Sequence, residues 1–232
     1  MEIKGFIESS LVDWDGKITC VIFLPNCNLR CPFCYNHPLI FHPEEIDSIP
    51  FSRIASYLKE KRDWIDGVVV TGGEPLIHSG LQGLIKEIKD LGFLVKIDTN
   101  GTNPRSLKEM IDKKLIDYVA VDIKAPLNER YRKVTNSKVD IGDIKRSIDI
   151  LMNSGIDYEF RTTVVPTLLT VDAMEEIAKQ ISGAKRYVLQ QFLPENAMDE
   201  GLRGIKPYNK EEMGKILKVV SKYVRNSSYR GK

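Results

Sequence analysis

The chain has 232 residues, 42% of them hydrophobic and 28% charged, with 34 basic against 32 acidic side chains and a net charge of +2. These values suit a globular protein with a sizeable core, as one large domain or, less comfortably, two small ones. Charge so nearly balanced gives no electrostatic case for a nucleic-acid partner, and no window reaches the roughly 18 consecutive apolar residues of a membrane span.

Met1 to Lys17 forms a lead-in segment in which Ile3, Phe6, Ile7, Leu11 and Val12 can pack and Asp15-Gly16 makes a turn. The apolar, β-branched run Ile18 to Leu24 predicts a buried strand, followed by a cysteine-bearing loop, Pro25 to Pro38. A long connection, His37 to Pro50, precedes a helix over Ser52 to Lys61, with Ile54, Ala55 and Leu58 on one face. Val68 to Val70 is a strand ending in Thr71-Gly72-Gly73-Glu74-Pro75. Leu81 to Leu91 is a helix terminated by Gly92, and Phe93 to Ile97 a strand ending in Asp98-Thr99-Asn100-Gly101. Pro104 starts a helix to Ile111, and Asp117 to Val121 is a strand ending at Asp122-Ile123-Lys124. A variable connection, Ala125 to Val139, leads to a helix over Gly142 to Asn153. Tyr158 to Val165 (strand), Val171 to Ile181 (helix), Tyr187 to Phe192 (strand) and Glu211 to Val224 (helix) complete the pattern.

Six short strands alternating with helices imply βαβ crossovers, right-handed, and a parallel sheet in an α/β fold. Eight such units would close a barrel, and six leave it incomplete. The expectation is one domain over 1–232, with 225–232 a flexible tail inside the Lys/Arg-rich stretch Lys222 to Lys232. In parallel α/β folds ligands gather at the carboxyl ends of strands, and the polar motifs of this chain fall there.

Cys27, Cys31 and Cys34 pack three of the four cysteines into eight residues. Thiolates at C-x3-C-x2-C spacing can converge on one inorganic centre, and three sulfurs on a cubane leave one iron without a protein ligand, whereas clusters that only carry electrons usually have four cysteines. Zinc would need a further ligand from His37, His42 or Cys20. A disulfide framework suits small secreted proteins; with few cysteines and no targeting segment, a reducing cytoplasm is expected instead. Cys20, between Thr19 and Val21, is expected to be a small core residue.

At the strand ends, Gly72-Gly73 lets backbone approach closely, and Glu74 beside it can take an ammonium group, although a plain strand-to-helix turn has the same composition. Asn100-Gly101 can equally be only a turn and Lys124 only a surface lysine. Acids, a hydroxyl and a lysine at one rim nevertheless suit a zwitterionic ligand, and hard oxygens suit a small cation. Arg161 is a charge inside an apolar strand, either a partly buried ion pair or a group turned to a ligand.

The cysteine spacing, with aromatic Phe33 before the third cysteine, resembles the signature of the radical S-adenosylmethionine (SAM) superfamily. Ser10-Leu11-Val12-Asp13-Trp14-Asp15-Gly16-Lys17, leading into the strand and loop, resembles the activating proteins of glycyl-radical enzymes, most of all those of anaerobic ribonucleoside-triphosphate reductase. The resemblance runs from about Gly5 to the last helix. It implies a partial (β/α)6 barrel with parallel strands, open on one side, and a [4Fe-4S] cluster on Cys27, Cys31 and Cys34. SAM would chelate the open iron, and one electron would cleave its sulfur–C5' bond to give methionine and a 5'-deoxyadenosyl radical. That radical would take hydrogen from a glycine of a partner glycyl-radical enzyme, with electrons from a flavodoxin- or ferredoxin-like donor.

By the same resemblance Gly72, Gly73 and Glu74 bind SAM's amino group, and Lys124 its carboxylate. Asp98, Thr99 and Asp122 hold a monovalent cation beside it. Asn100 and Ile123 lie with these groups, Arg161 meets the ribose or carboxylate, and Val165-Pro166 lies near adenine with Phe33. After the third cysteine, Asn36 matches the His-Asn common among relatives and Tyr35 departs from it. Gln190-Gln191 stands where pyruvate formate-lyase activases have a histidine, which argues against that subclass. Alternatives are a compact radical SAM enzyme acting on a small molecule, as in deazapurine biosynthesis, and a non-catalytic metal-binding or electron-transfer protein.

Overall fold

A computed structural model describes residues 1–231. Lys232, the end of the expected tail, lies outside the described residues. The strands are β1 Gly5–Ser10, β2 Thr19–Leu24, β3 Gly67–Gly72, β4 Leu94–Thr99, β5 Tyr118–Asp122, β6 Asp157–Val164, β7 Tyr187–Gln191 and β8 Ser227–Arg230. The helices are α1 Pro38–Phe41, α2 Phe51–Glu60, α3 Leu81–Asp90, α4 Pro104–Asp112, α5 Glu129–Val134, α6 Ile141–Asn153, α7 Val171–Gln180, α8 Glu200–Arg203 and α9 Lys210–Val220.

All eight strands form one sheet in chain order, from β1 at one edge to β8 at the other, so the sheet is not closed. β1 is antiparallel to β2, while β2–β3, β3–β4, β6–β7 and β7–β8 are parallel. Each parallel step needs a crossover, and the helices supply it. This is the α/β arrangement of a partial, open (β/α) barrel. Residues in β2 and β3 are buried almost without alternation, with Cys20, Val21, Ile22, Val68, Val69 and Val70 all fully enclosed. Covered parallel strands have this character.

The chain divides into two compact units. The first comprises Met1–Asn28, Asn36–Thr99 and Arg105–Val119. In it α2 buries Ile54 and Leu58, α3 buries the stripe Leu81, Leu84, Ile85 and Ile88, and Trp14 joins Val21 and Val69 in an apolar cluster. The second comprises Leu29–Tyr35, Asn100–Pro104 and Ala120–Lys232. Its core includes Tyr131, Phe160, Tyr187 and Phe192, and α7 packs on α9. A capping box between Asn209 and Glu212 starts α9. No helix among the described residues is long and apolar enough to cross a membrane.

The structure departs from the sequence expectations at five places, one of them α8, a single turn after β7 that the sequence reading did not include. The lead-in contains β1, whose half-exposed residues give no alternating signal and whose position is set by backbone pairing, such as the Lys4 N–H to the Phe23 carbonyl at 2.9 Å. The connection His37 to Pro50 contains α1, a single turn begun by Pro38. The variable connection holds α5, too short for a periodic signal but capped by the Asn128 side chain on the Arg130 N–H, with Tyr131 and Val134 buried. The expected tail contains β8, a polar strand that pairs with β7 and whose Arg230 grips the buried Glu159 with contacts of 3.3 and 3.1 Å.

Candidate functional site

In the first unit, the end of β3 is welded to the chain leaving β2. The Gly73 N–H donates to the Leu24 carbonyl and the Glu74 N–H to the Asn26 carbonyl, both at 2.8 Å. Gly72 has φ +113°, and a Cβ there would stand 2.4 Å from the Leu24 carbonyl oxygen; at Gly73 it would stand 1.8 Å from that of Asn26. Both positions therefore require glycine, and the backbone they admit is the chain's own. The Asn36 amide donates to the Gly72 carbonyl at 2.8 Å, and the His78 Nε2 lies 2.8 Å from the Pro25 carbonyl. Cys27 thus leaves a backbone fixed on several sides.

Glu74 is 1% exposed. Its Oε1 accepts from the Leu76 N–H at 3.0 Å and the Thr99 hydroxyl at 2.6 Å, which holds a carboxylate in place inside a buried turn. Thr99 and Asp98, adjacent in a strand, point to opposite faces. Asp98 pairs with the fully buried ammonium of Lys96 at 3.2 Å, and Lys96 also donates to the Asp13 carbonyl and lies over the Tyr118 ring. Sequence reasoning missed Lys96; its signal was a charge two residues before Asp98, the spacing that puts both on one face.

In the second unit, the Cys34 N–H donates to the Cys31 carbonyl at 3.0 Å, turning the backbone between the two thiols. The Arg30 N–H reaches the Thr135 carbonyl at 3.2 Å and the Ser137 hydroxyl at 2.8 Å. Phe33 is buried, with the Lys124 ammonium 6.0 Å from its ring centroid, a cation–π geometry. Tyr35 stacks on Phe192 and its hydroxyl accepts the Leu193 N–H at 2.5 Å. Burial pushes that phenol up to about 12, against the pull of the Leu193 hydrogen bond and with help from the nearby charges of Glu195 and Cys34, so it stays protonated.

Asp122 is the hub of the strand-end charges in this unit. Arg161 Nε donates to its Oδ1 at 2.8 Å and Lys124 Nζ lies 3.5 Å from Oδ2. Burial opposes its ionisation, but the two cations and their hydrogen bonds more than offset this, holding the carboxyl below its ordinary range. Arg161 is buried and ion-paired with Asp122, whose carboxylate it shares with Lys124. Ile123 is enclosed, its N–H donating to the Arg161 carbonyl and its carbonyl accepting the Thr162 hydroxyl. The Asn100 side chain accepts from the Thr102 N–H and hydroxyl, an Asx turn. Gln191, at the end of β7, donates to the Tyr208 carbonyl.

All four thiols are free of disulfides. Cys20 is enclosed in β2, and burial, with the Glu8 charge adding to it, pushes its thiol to about 12. Fully enclosed in its strand, Cys20 is the small core residue its sequence position predicts. His42 is turned to its own neighbours, Glu44 and Glu45, at the surface. Cys27 in the first unit and Cys31 and Cys34 in the second are soft sulfur donors, whose chemistry fits an iron-sulfur cluster.

The family profile described as the Radical SAM superfamily matches residues 21–181. A Methanocaldococcus jannaschii protein provisionally named a glycyl-radical enzyme activating enzyme is 33% identical, over 97% of this chain and 93% of that one. The pyruvate formate-lyase-activating enzyme of Clostridium pasteurianum is 27% identical, over 92% of this chain and 94% of its own length. Among solved structures, Streptococcus suis SuiB bound to S-adenosylmethionine superposes with a TM-score of 0.69 at 16% identity, covering 91% of this chain and 52% of that protein, a likeness of fold alone. A profile match running from β2 to just past α7, and a relative 33% identical along nearly all of both chains, lead to one conclusion: this chain belongs to the radical SAM superfamily of enzymes.

Proposed function

We propose that the chain is an activating enzyme for a glycyl-radical enzyme, with anaerobic ribonucleoside-triphosphate reductase as the partner and a flavodoxin- or ferredoxin-like protein as the electron source. The observation that carries the reading is the 33% identity to an activating-enzyme relative over 97% of this chain and 93% of the relative. That similarity extends over nearly the full length of both chains, which supports the activating-enzyme reading.

In this proposal Cys27, Cys31 and Cys34 hold a [4Fe-4S] cluster and leave one iron for SAM. When bound, the cluster and SAM together supply one-electron cleavage of SAM and the hydrogen-atom abstraction that follows. Glu74, its Oε1 fixed by Thr99 and Leu76, accepts the ammonium of SAM. Lys124, steadied by Asp122, pairs with the carboxylate, and Phe33 offers an apolar face to adenine. The chain's part is to orient SAM and exclude water, and no general base is required.

The experiment is anaerobic mixing of reconstituted protein, reductant and SAM with the reductase. The expected result is a glycyl-radical signal by electron paramagnetic resonance at about one SAM consumed per radical formed; SAM cleavage without that signal rejects the step. A second reading, a small-molecule substrate, is favoured by similarity to the 7-carboxy-7-deazaguanine synthase of Thermoplasma acidophilum, 34% identical over 43% of this chain. It predicts many SAM molecules processed per protein when the small substrate is supplied.

A further inference from the structure

We infer that Tyr35 is a positioning residue for the third cysteine, tying the backbone of Cys34 to the segment after β7 so that the thiolate is held in ligating position by the far end of the chain. Two contacts flank Cys34. On one side the Pro32 carbonyl accepts the Asp199 N–H at 2.8 Å. On the other the Tyr35 hydroxyl accepts the Leu193 N–H at 2.5 Å across 158 residues of sequence, and its ring stacks on Phe192 with centroids 6.4 Å apart and planes 25° from parallel.

The segment doing the holding is itself braced. Phe192 and Ala197 are fully buried, Asn196 and Ala197 turn back to the Leu193 and Pro194 carbonyls, and Arg203 Nε donates to the Ala197 carbonyl at 3.0 Å. The Asp199 side chain caps α8 through the Gly201 N–H at 2.8 Å. A loop pinned on both sides of a ligand pays less ordering entropy when the ligand engages. Groups that orient metal ligands from behind typically govern metal affinity by tenfold or more. Phe192 to Asp199 thus acts as a clamp on the cysteine loop, and Tyr35 is the side chain through which it closes.

The inference rests on Cys34 being a cluster ligand, as proposed above, and is independent of the substrate. The test is the rate of iron release to a chelator from anaerobically reconstituted full-length protein, without SAM or partner, alongside amide exchange at Leu193 in the cluster-free chain. Tyr35→Phe keeps the ring and removes the acceptor. It is expected to assemble the cluster, release iron about tenfold faster and lose exchange protection at Leu193. Tyr208→Phe, a tyrosine of the same unit whose hydroxyl donates to the Leu169 carbonyl, is expected to leave the release rate unchanged. Phe192→Leu, which removes the stack from the other partner, is expected to speed release as well and serves if Tyr35→Phe does not fold. Release rates equal to the parent in Tyr35→Phe, or in Phe192→Leu if that variant stands in, overturn the inference; a parent protein with no four-iron absorbance overturns the ligation itself.

Discussion

The Thr99 hydroxyl donates to Oε1 of Glu74 over 2.6 Å, joining the end of β4 to the turn after β3 in a buried setting. Thr99→Val keeps the shape and removes the donor, leaving a buried carboxylate oxygen one partner short. The expected cost is about 1 to 3 kcal/mol of stability, with SAM affinity falling several-fold in calorimetric titration of the reconstituted protein. Unchanged SAM affinity would remove Glu74 from the proposed site.

Asp122 sets an acid limit. Its carboxyl is held below the ordinary range, so the stability it contributes is fully present above the unfolded value of about 4 and is lost as pH falls through the lower folded value. Urea midpoints should fall on acidification through that window, and Asp122→Asn should flatten this part of the curve. Arg161→Met, leaving Asp122 with Lys124 as its remaining named cation, is expected to cost about 3 kcal/mol.

Gly73 and Gly83 form a matched pair. A methyl at Gly73 would stand 1.8 Å from the Asn26 carbonyl oxygen, whereas one at Gly83, inside α3, meets nothing within 4 Å. Gly73→Ala is expected to destabilise by about 4 kcal/mol or more, a backbone clash at the root of the cysteine loop. Gly83→Ala is expected to stabilise by about 1 kcal/mol. Thermal melts of the two proteins compare them directly.

Most of the framework was legible because it depends on burial and local turn chemistry. The runs that became β2 to β7 are apolar enough to announce themselves, and Gly92 or Pro104 mark helix ends without help from the rest of the chain. What sequence alone did not disclose depends on partners distant in sequence. β8 is Ser227-Ser228-Tyr229-Arg230, polar throughout, and is a strand because β7 offers an edge and Glu159 a counter-charge. Gly72 and Gly73 looked suited to close approach, but nothing local says that the approaching backbone is Leu24 to Asn26. Lys96, passed over inside an apolar strand, is the buried partner of Asp98.

That strand is open to test. A chain ending at Val224 would lose little if the remainder were a solvated tail. With Glu159 only 1% exposed and paired to Arg230 and Arg186, removal of the last residues, or Arg230→Met alone, is expected to cost about 3 kcal/mol by chemical denaturation.

The account stands most directly on the electron paramagnetic resonance spectrum of anaerobically reconstituted, reduced protein, recorded before and after adding SAM. It predicts a four-iron signal whose g values and line shape change when SAM is added, because SAM binds the iron that Cys27, Cys31 and Cys34 leave open. A spectrum with no four-iron signal, or one that SAM leaves unaltered, would contradict it.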